Sequence, residues 1–348
     1  MKKRIALLLT VIMAFGLLAG CGSKKESDSA EPAQTESGAA AEEDVSADGL
    51  AGTKVAWVCN QSDAWHHQTA VTAQELLAAN GYTCDLFDNK NDDGIGLECL
   101  EQIQTSGDYG LVIYANNVTQ MDAFQKLMAN GTSVVMYAID IEENHDVVST
   151  WVCSEYDLGN LVAKKAVEQL PENANVVVMR GVEGYSGSVL RGQGFHDALE
   201  EGGRNDITIL EEKFLKFQKA EAMTCMEDWI TAHGDDIDGV ISENDDMALG
   251  AIEALRGAGI EVGVDGVLVY GIDGLYQGCK GIKEGVIQAS AYQDSNMYAQ
   301  AALERIQKLE SGEMTPTDTE DLVFDASYID ETNVDEFLAY YEENGMAQ

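Results

Sequence analysis

From Lys54 onward, short β-branched apolar runs alternate with stretches in which apolar residues recur every three to four positions. The runs at Lys54–Cys59, Tyr82–Phe87, Gly110–Tyr114 and Ser133–Ile139 read as strands. The stretches at Gln68–Asn80, Gly94–Gln104 and Asp122–Ala129 read as helices, the first stopping at Gly81 and the last at Asn130-Gly131. After a short strand at Ser149–Cys153 the alternation restarts. Helices are predicted at Leu158–Leu170, Ser188–Glu201, Lys219–His233, Ala248–Ala258 and Tyr276–Glu284. Strands are predicted at Asn175–Arg180, Thr208–Phe214, Gly239–Ser242, Val267–Gly271 and Ile287–Tyr292. This β-α-β-α rhythm calls for parallel sheets covered by helices on both faces. It runs through twice, so the expected fold is α/β with two doubly wound parallel-sheet lobes. In such sheets ligands bind beyond the carboxyl ends of the strands.

The first fifty residues follow a different pattern. Lys2, Lys3 and Arg4 precede an apolar run from Ile5 to Leu18, too short for a permanent membrane span and suited to a signal peptide over residues 1–20. The run ends in Leu18-Ala19-Gly20-Cys21, a lipobox in which the Cys21 thiol takes the lipid before cleavage. Residues 22–50 are mostly Ser, Ala, Glu, Asp and Gly with no aromatic and no isoleucine, a composition that cannot bury enough apolar surface to order itself. With Cys21 they read as a lipidated, disordered acidic tether over 21–50, reaching roughly 30 Å as a coil.

Composition narrows the function. The 348-residue chain carries a net charge of −40, which argues against nucleic acid and against a basic membrane-binding face. Six cysteines follow Cys21 without CxxC spacing or an accompanying histidine pattern, so no metal site and no cofactor is expected. An exported location permits disulfides; Cys84 and Cys99, flanking one strand–helix connection, are the first pair to test.

Three stretches carry a resemblance. They are Val55-Ala-Trp-Val58 with the polar-aromatic loop after it, Arg191-Gly-Gln-Gly-Phe195, and Ser242-Glu-Asn-Asp-Asp-Met-Ala-Leu-Gly250 followed by Val269-Tyr-Gly-Ile-Asp-Gly274. In these the chain resembles the type I periplasmic sugar-binding proteins, the ribose- and galactose-binding family. The resemblance implies two lobes joined by a three-segment hinge, with crossings near Ser154, Gln293 and Asp321. The lobes would then be 51–154 plus 294–321, and 155–293 plus 322–348. It implies capture of a mono- or small saccharide and delivery to the permease and ATPase subunits of an ABC transporter. A sensing protein that shows its bound state to a receptor kinase or chemoreceptor would use the same lobes.

A sugar presents apolar ring faces and a rim of hydroxyls, so its site needs aromatic planes together with Asp, Asn, Gln and Arg. The resemblance places Asn244, Asp273 and Gln293 on the hydroxyl rim. Asn244 could instead be an N-cap, although Asp245 or Asp246 could fill that role; Asp273 could be a turn residue. Asn60, Trp65, His66 and His67 are expected in the loop after the first strand, Trp65 or His66 stacking on the sugar opposite Phe217, unless Trp65 is an ordinary core residue. Asn116 and Asp140 follow the third and fourth strands. Where the family often has a sugar-clamping arginine, this chain has Val189, and Tyr185 or Arg180 would have to substitute.

Enzyme signatures fall short. Gly184-Tyr-Ser-Gly187 is not GxSxG, and HExxH, the P-loop and the full dinucleotide fingerprint are missing from the sequence. Asn89-Lys-Asn-Asp-Asp93-Gly94 mimics the start of a calcium loop, but Leu100 stands where the bidentate glutamate belongs.

Overall fold

The computed structural model describes residues 52–116, 120–140 and 146–346. The signal run, Cys21, the acidic tether and the segment directly after Asp140 lie outside the described residues. Two six-stranded sheets form the body. The first holds β1 (Lys54–Cys59), β2 (Cys84–Asp88), β3 (Tyr109–Tyr114), β4 (Ser133–Tyr137), β5 (Ser149–Cys153) and β11 (Leu322–Phe324). Its order is β11-β5-β4-β3-β1-β2, and every pair is parallel. The second holds β6 (Asn175–Arg180), β7 (Thr208–Phe214), β8 (Gly239–Ser242), β9 (Leu268–Asp273), β10 (Ala289–Tyr292) and β12 (Ser327–Asp330), in the order β12-β10-β9-β8-β6-β7. Within it only β12 runs antiparallel, against β10. The fold is two α/β lobes with mostly parallel sheets.

Strands buried on both faces explain why β3 and β4 read as unbroken apolar runs: every residue of Tyr109–Tyr114 and Ser133–Tyr137 is buried. Helices α1 (Ala64–Ala79), α2 (Asp93–Ser106), α3 (Met121–Ala129) and α9 (Ser295–Ser311) pack with the first sheet. Helices α4 (Glu155–Gln169), α5 (Ser186–Glu201), α6 (Lys219–His233), α7 (Asp245–Gly257), α8 (Tyr276–Lys283) and α10 (Val334–Glu343) serve the second. The first core centres on aromatic edges: Trp57 and Tyr137 lie 4.9 Å apart, and Tyr137 and Tyr298 5.8 Å apart.

The chain passes between lobes at Ser154, which caps α4, and at Gln293-Asp294 ahead of α9. The third passage lies between Phe324 and Ser327, a few residues beyond the position expected near Asp321. Leu322–Phe324 pairs in register with Trp151–Cys153, and Asp321 Oδ1 accepts from the Thr150 amide at 2.7 Å. Residues 322–324 therefore belong to the first lobe, and a strand of three residues leaves no periodicity to read.

Several helices start earlier than predicted, α4 at Glu155 among them, and two of these starts bear on the site. Asp63 caps α1, its Oδ1 accepting from the His66 amide at 3.0 Å, so Trp65, His66 and His67 sit in the first helical turn instead of the expected loop. Asn244, and neither following aspartate, caps α7 by accepting from the Met247 amide at 2.9 Å. All six cysteines of the body are buried free thiols, Cys84 and Cys99 included.

Candidate functional site

A cavity of about 430 Å³ opens where the carboxyl ends of β1, β3, β4, β6, β8 and β9 meet the passages between lobes. That volume suits a small molecule.

Its floor is built around Asp273, the last residue of β9. Asp273 is buried and holds φ at +115°, a backbone region that residues other than glycine rarely occupy. Its Oδ1 accepts from Gln293 Nε2 at 2.9 Å and lies 3.9 Å from Arg191 Nη1. Burial pushes the Asp273 carboxyl well above the ordinary carboxylate range, and the Arg191 charge opposes that rise. Gln293 Oε1 is buried and has no hydrogen-bond partner among the described residues. The Gln293 carbonyl accepts from Trp65 Nε1 at 3.2 Å, which ties the passage to α1.

Arg191 is the cation of the floor. Its Nε donates to Glu155 Oε2 at 2.5 Å and its Nη1 to the Glu243 carbonyl at 2.5 Å. Glycines bring these groups together. A Cβ on Gly159 would fall 2.0 Å from the Arg191 carbonyl oxygen, and one on Gly194 would fall 2.1 Å from the Tyr156 carbonyl oxygen. Helices α4 and α5 thus touch backbone to backbone, which sets Glu155, the first residue of α4, beside Arg191. Of the two substitutes offered for a clamping arginine, Tyr185 lines the cavity, whereas Arg180 does not: it bonds the Glu243 carboxylate, Glu212 and the Ser188 carbonyl. Val189, at the position expected for the clamping arginine, is 51% exposed and does not line the cavity, whereas Arg191, two residues on, does.

Aromatic side chains form the walls. Phe217 takes a left-handed backbone at φ +58°, and its ring fills the space that a Cβ on Gly181 would need. The Arg191 guanidinium carbon lies 5.7 Å from the Phe217 ring centre, and Tyr185 meets Phe217 edge-on at 6.0 Å. Tyr185 Oη donates to the Ala138 carbonyl at 2.6 Å, a bond from the second lobe to the first. Across the cavity Trp65 and His66 present adjacent rings, and His66 Nδ1 lies 2.9 Å from Tyr137 Oη. Burial pushes the His66 imidazole below its ordinary pKa, which favours the neutral ring.

Nine of the eleven side chains nominated from the sequence line this cavity: Asn60, Trp65, His66 and Asn116 from the first lobe, Tyr185, Phe217, Asn244 and Asp273 from the second, and Gln293 between them. Asn244 caps α7 through Oδ1 and gives Nδ2 to the Phe217 carbonyl at 3.3 Å while facing the cavity. Two side chains do not line it. Successive helical residues point about 100° apart, so His67 turns outward to Gln61 Oε1 at 2.9 Å while His66 turns in. Asp140 is exposed beyond the end of β4. The sequence reading missed Glu155, Arg191 and Asp63. Arg191 was visible as the head of an Arg-Gly-Gln-Gly run. Glu155 carried no signal of its own, because its place depends on the glycine contact between α4 and α5. Among the described residues, no group of three or more His, Cys, Asp or Glu side chains could hold a metal ion.

Two doubly wound lobes, three chain passages and a mixed aromatic–polar cavity at the strand ends define the class of two-lobed solute-binding proteins. A sequence profile of the periplasmic binding protein domain matches residues 55–314. The chain belongs to that family, in its type I branch of sugar-binding proteins of ABC importers. It is 28% identical over 244 residues to the ribose import binding protein of Escherichia coli, covering 69% of this chain and 79% of that one. It is 34% identical over 151 residues to the xylitol-binding protein of Mycolicibacterium smegmatis, covering 43% of this chain and less than half, 42%, of that protein. The fold is shared with a galactofuranose binding protein at a TM-score of 0.74 and 21% identity, covering 85% of this chain and 99% of that one. It is also shared with the Caulobacter myo-inositol binding protein at a TM-score of 0.72 and 24% identity, covering 83% and 97%.

Proposed function

We propose that the protein captures one small uncharged sugar or polyol in this cavity and presents it to the permease and ATPase subunits of an ABC importer, without chemical change to the ligand. The observation that carries the reading is the floor itself. Gln293 Oε1 is a buried acceptor without a donor, and it stands beside the Asp273 carboxylate. A hydroxyl both donates and accepts, so neighbouring hydroxyls on one ring can fill Gln293 Oε1, Asp273 and the remaining guanidinium hydrogens together. Leaving a buried acceptor unfilled costs about 1–3 kcal/mol, which a ligand hydroxyl would recover.

Charge supports the uncharged class. The buried ionisable groups at the floor are Glu155, Asp273 and Arg191, two carboxylates to one guanidinium, and the guanidinium is already bonded to Glu155. The one buried cation of the lining is already paired with Glu155, so an added anion would enter a site of low dielectric without a buried countercharge of its own. Trp65, Tyr185 and Phe217 offer planes to the C–H faces of a ring. The relatives named for ribose and xylitol support the same class.

In this reading the body is held at the outer face of the membrane by lipid on Cys21. The support is the basic, apolar and lipobox order of the first 21 residues. Replacing Cys21 with Ala should move the protein from the membrane to the soluble fraction or stall signal processing; unchanged membrane association would refute the anchor. The ligand class is tested by thermal shift with pentoses, hexoses, polyols and their acid and phosphate derivatives. At a hundredfold excess over Kd a true ligand adds about 2.7 kcal/mol of stability. A shift with an uncharged member supports the reading, and shifts from amino acids, nucleosides or metal ions alone would overturn it.

A further inference from the structure

Directly beneath the floor lies a second carboxylate that no ligand can reach. Asp245, the first residue of α7, is fully buried. Its Oδ2 accepts from the Leu275 amide at 2.8 Å, and its Oδ1 accepts from Ser290 Oγ at 2.6 Å. Ser290 Oγ in turn accepts from the Gly274 amide at 3.0 Å. Both amides of the two residues after Asp273 are thus held, one directly and one through a hydroxyl, by a single carboxylate. The Gly274 carbonyl is held as well, by Tyr341 Oη from α10 at 2.6 Å and by Cys279 Sγ from α8 at 3.6 Å. Glycines enclose the carboxylate. A Cβ on Gly271 would come within 2.2 Å of Asp245 Oδ1, and one on Gly278 within 2.2 Å of Oδ2.

This arrangement accounts for a backbone that is otherwise costly. Asp273 at φ +115° and Gly274 at φ +69° form a strained turn, and such turns persist only where their surroundings over-determine them. We infer that Asp245 is a positioning residue: by clamping Gly274 and Leu275 it fixes the turn that aims the Asp273 carboxylate at the ligand. The inference rests on the proposed function for its consequence in binding, while the clamp itself concerns the ligand-free chain.

The clamp has a sign in pH. Both Asp245 oxygens face donors, so the ionised form suits the site, while burial pushes the carboxyl up to about 7. The Ser290 and Leu275 bonds oppose that rise. The titratable groups around it are Asp246 on its own helix, Asp273 at the end of β9, Cys279 on α8 and Tyr341 on α10. Burial keeps the Cys279 thiol and the Tyr341 phenol protonated through neutrality. A proton on Asp245 would remove the charge that strengthens its hold on the Leu275 amide, an obligate donor, and loosen the turn, so affinity should fall as pH drops through about 7. Global stability moves the other way. A carboxyl whose pKa is raised by folding binds its proton more tightly in the native state, so its contribution to stability declines as pH rises from the ordinary carboxylate range to the folded value. A residue that only braced the fold would shift affinity and stability together.

The test compares the full wild-type chain with Asp245→Asn and Ser290→Ala. Asn keeps the shape, but its Nδ2 would face Ser290 Oγ as a donor where a carboxylate oxygen accepted. Hydrogen exchange at Gly274 and Leu275 is measured without ligand. Affinity and Tm are measured from pH 5.5 to 8 with whichever of ribose, xylitol, apiose and myo-inositol binds most tightly. The expected result is at least tenfold faster exchange at both amides in Asp245→Asn, with Ser290→Ala releasing Gly274 even if the Asn variant fails to fold. Affinity should fall at least tenfold in Asp245→Asn. The wild-type advantage in affinity should grow with rising pH while its advantage in Tm shrinks. Unchanged exchange at both amides, or faster exchange with unchanged affinity, overturns the inference. If no neutral pentose, hexose or polyol binds the wild type, the proposed function has failed, and exchange alone then decides whether Asp245 holds the turn.

Discussion

Replacing Arg191 with Met separates the structural duty of the floor from its duty toward a ligand. Arg191 and Glu155 are each about 6% exposed at the side chain, and they meet at 2.5 Å. The substitution keeps much of the side-chain volume but leaves the Glu155 carboxylate buried without its partner. It also removes the donor to the Glu243 carbonyl and the charge that opposes the rise in the Asp273 pKa. Stranding one member of a buried pair costs about 3–5 kcal/mol. At about 2–4 °C per kcal/mol for a body of this size, Tm should fall on the order of 10 °C. Adding Glu155→Gln removes the stranded charge, and replacing both members of a buried pair is often close to neutral, so the double variant should regain most of that loss. Binding should not return with it, because a sugar hydroxyl meeting the guanidinium would have lost a charge-assisted bond worth about 1.5–3 kcal/mol, at least tenfold in Kd. Differential scanning calorimetry and titration calorimetry on the same three proteins read both quantities. A single variant within about 2 °C of wild type would refute the buried-pair account. A double variant that binds like wild type would remove Arg191 from the ligand's contacts.

Other substitutions probe the remaining walls. Asp273→Asn keeps a side chain that tolerates positive φ while removing the charge, and titration calorimetry should show at least a tenfold rise in Kd; unaltered affinity would place the ligand elsewhere. Tyr185→Phe deletes the bond to Ala138 that joins the lobes, a loss of about 0.5–1.5 kcal/mol to the closed state, so Kd should rise about two- to twelvefold through a faster off-rate in stopped flow. Unchanged dissociation would show that the bond does not hold the lobes closed on a ligand. Burial pushes the Cys59 and Cys84 thiols up to about 12, so the native body should react with a thiol reagent far more slowly than the unfolded chain, and reductant should leave Tm unchanged. A rapidly titrating body thiol or a reductant-sensitive Tm would contradict the free, buried cysteines.

Much of the fold was legible because its inner strands are buried on both faces: Asn175–Arg180 and Gly239–Ser242 fall where the apolar runs predicted them. The mostly exposed edge strand Thr208–Phe214 and the helix Lys219–His233 also fall where predicted. Helices Ser295–Ser311 and Val334–Glu343 lay beyond the last element predicted, although the first carries an ordinary cap at Asp294; the other departures were decided by geometry without a local signal. Leu322–Phe324 is a strand only because Asp321 and the edge of β5 receive it. Helix α1 begins four residues early because Asp63 caps it, which turns His66 inward and His67 outward. At the site, side chains at or just beyond strand ends could be nominated, since strand ends converge; Asp273 and Asn116 are of this kind. Arg191 and Glu155 lie inside helices, and only the Gly159 and Gly194 contacts bring them to the floor. The clamp beneath Asp273 joins α7 to β10 across 45 residues, a separation that no local pattern encodes.

The central claim is that one uncharged polyol fills the floor formed by Asp273, Arg191 and Gln293. Titration calorimetry of the wild-type chain tests it most directly, with each neutral sugar or polyol run beside its carboxylate or phosphate counterpart. One neutral compound should saturate the protein at a single site per chain, while its anionic counterpart binds at least a hundredfold more weakly. Tighter binding of the anionic counterpart, or saturation by a charged solute alone, would contradict it.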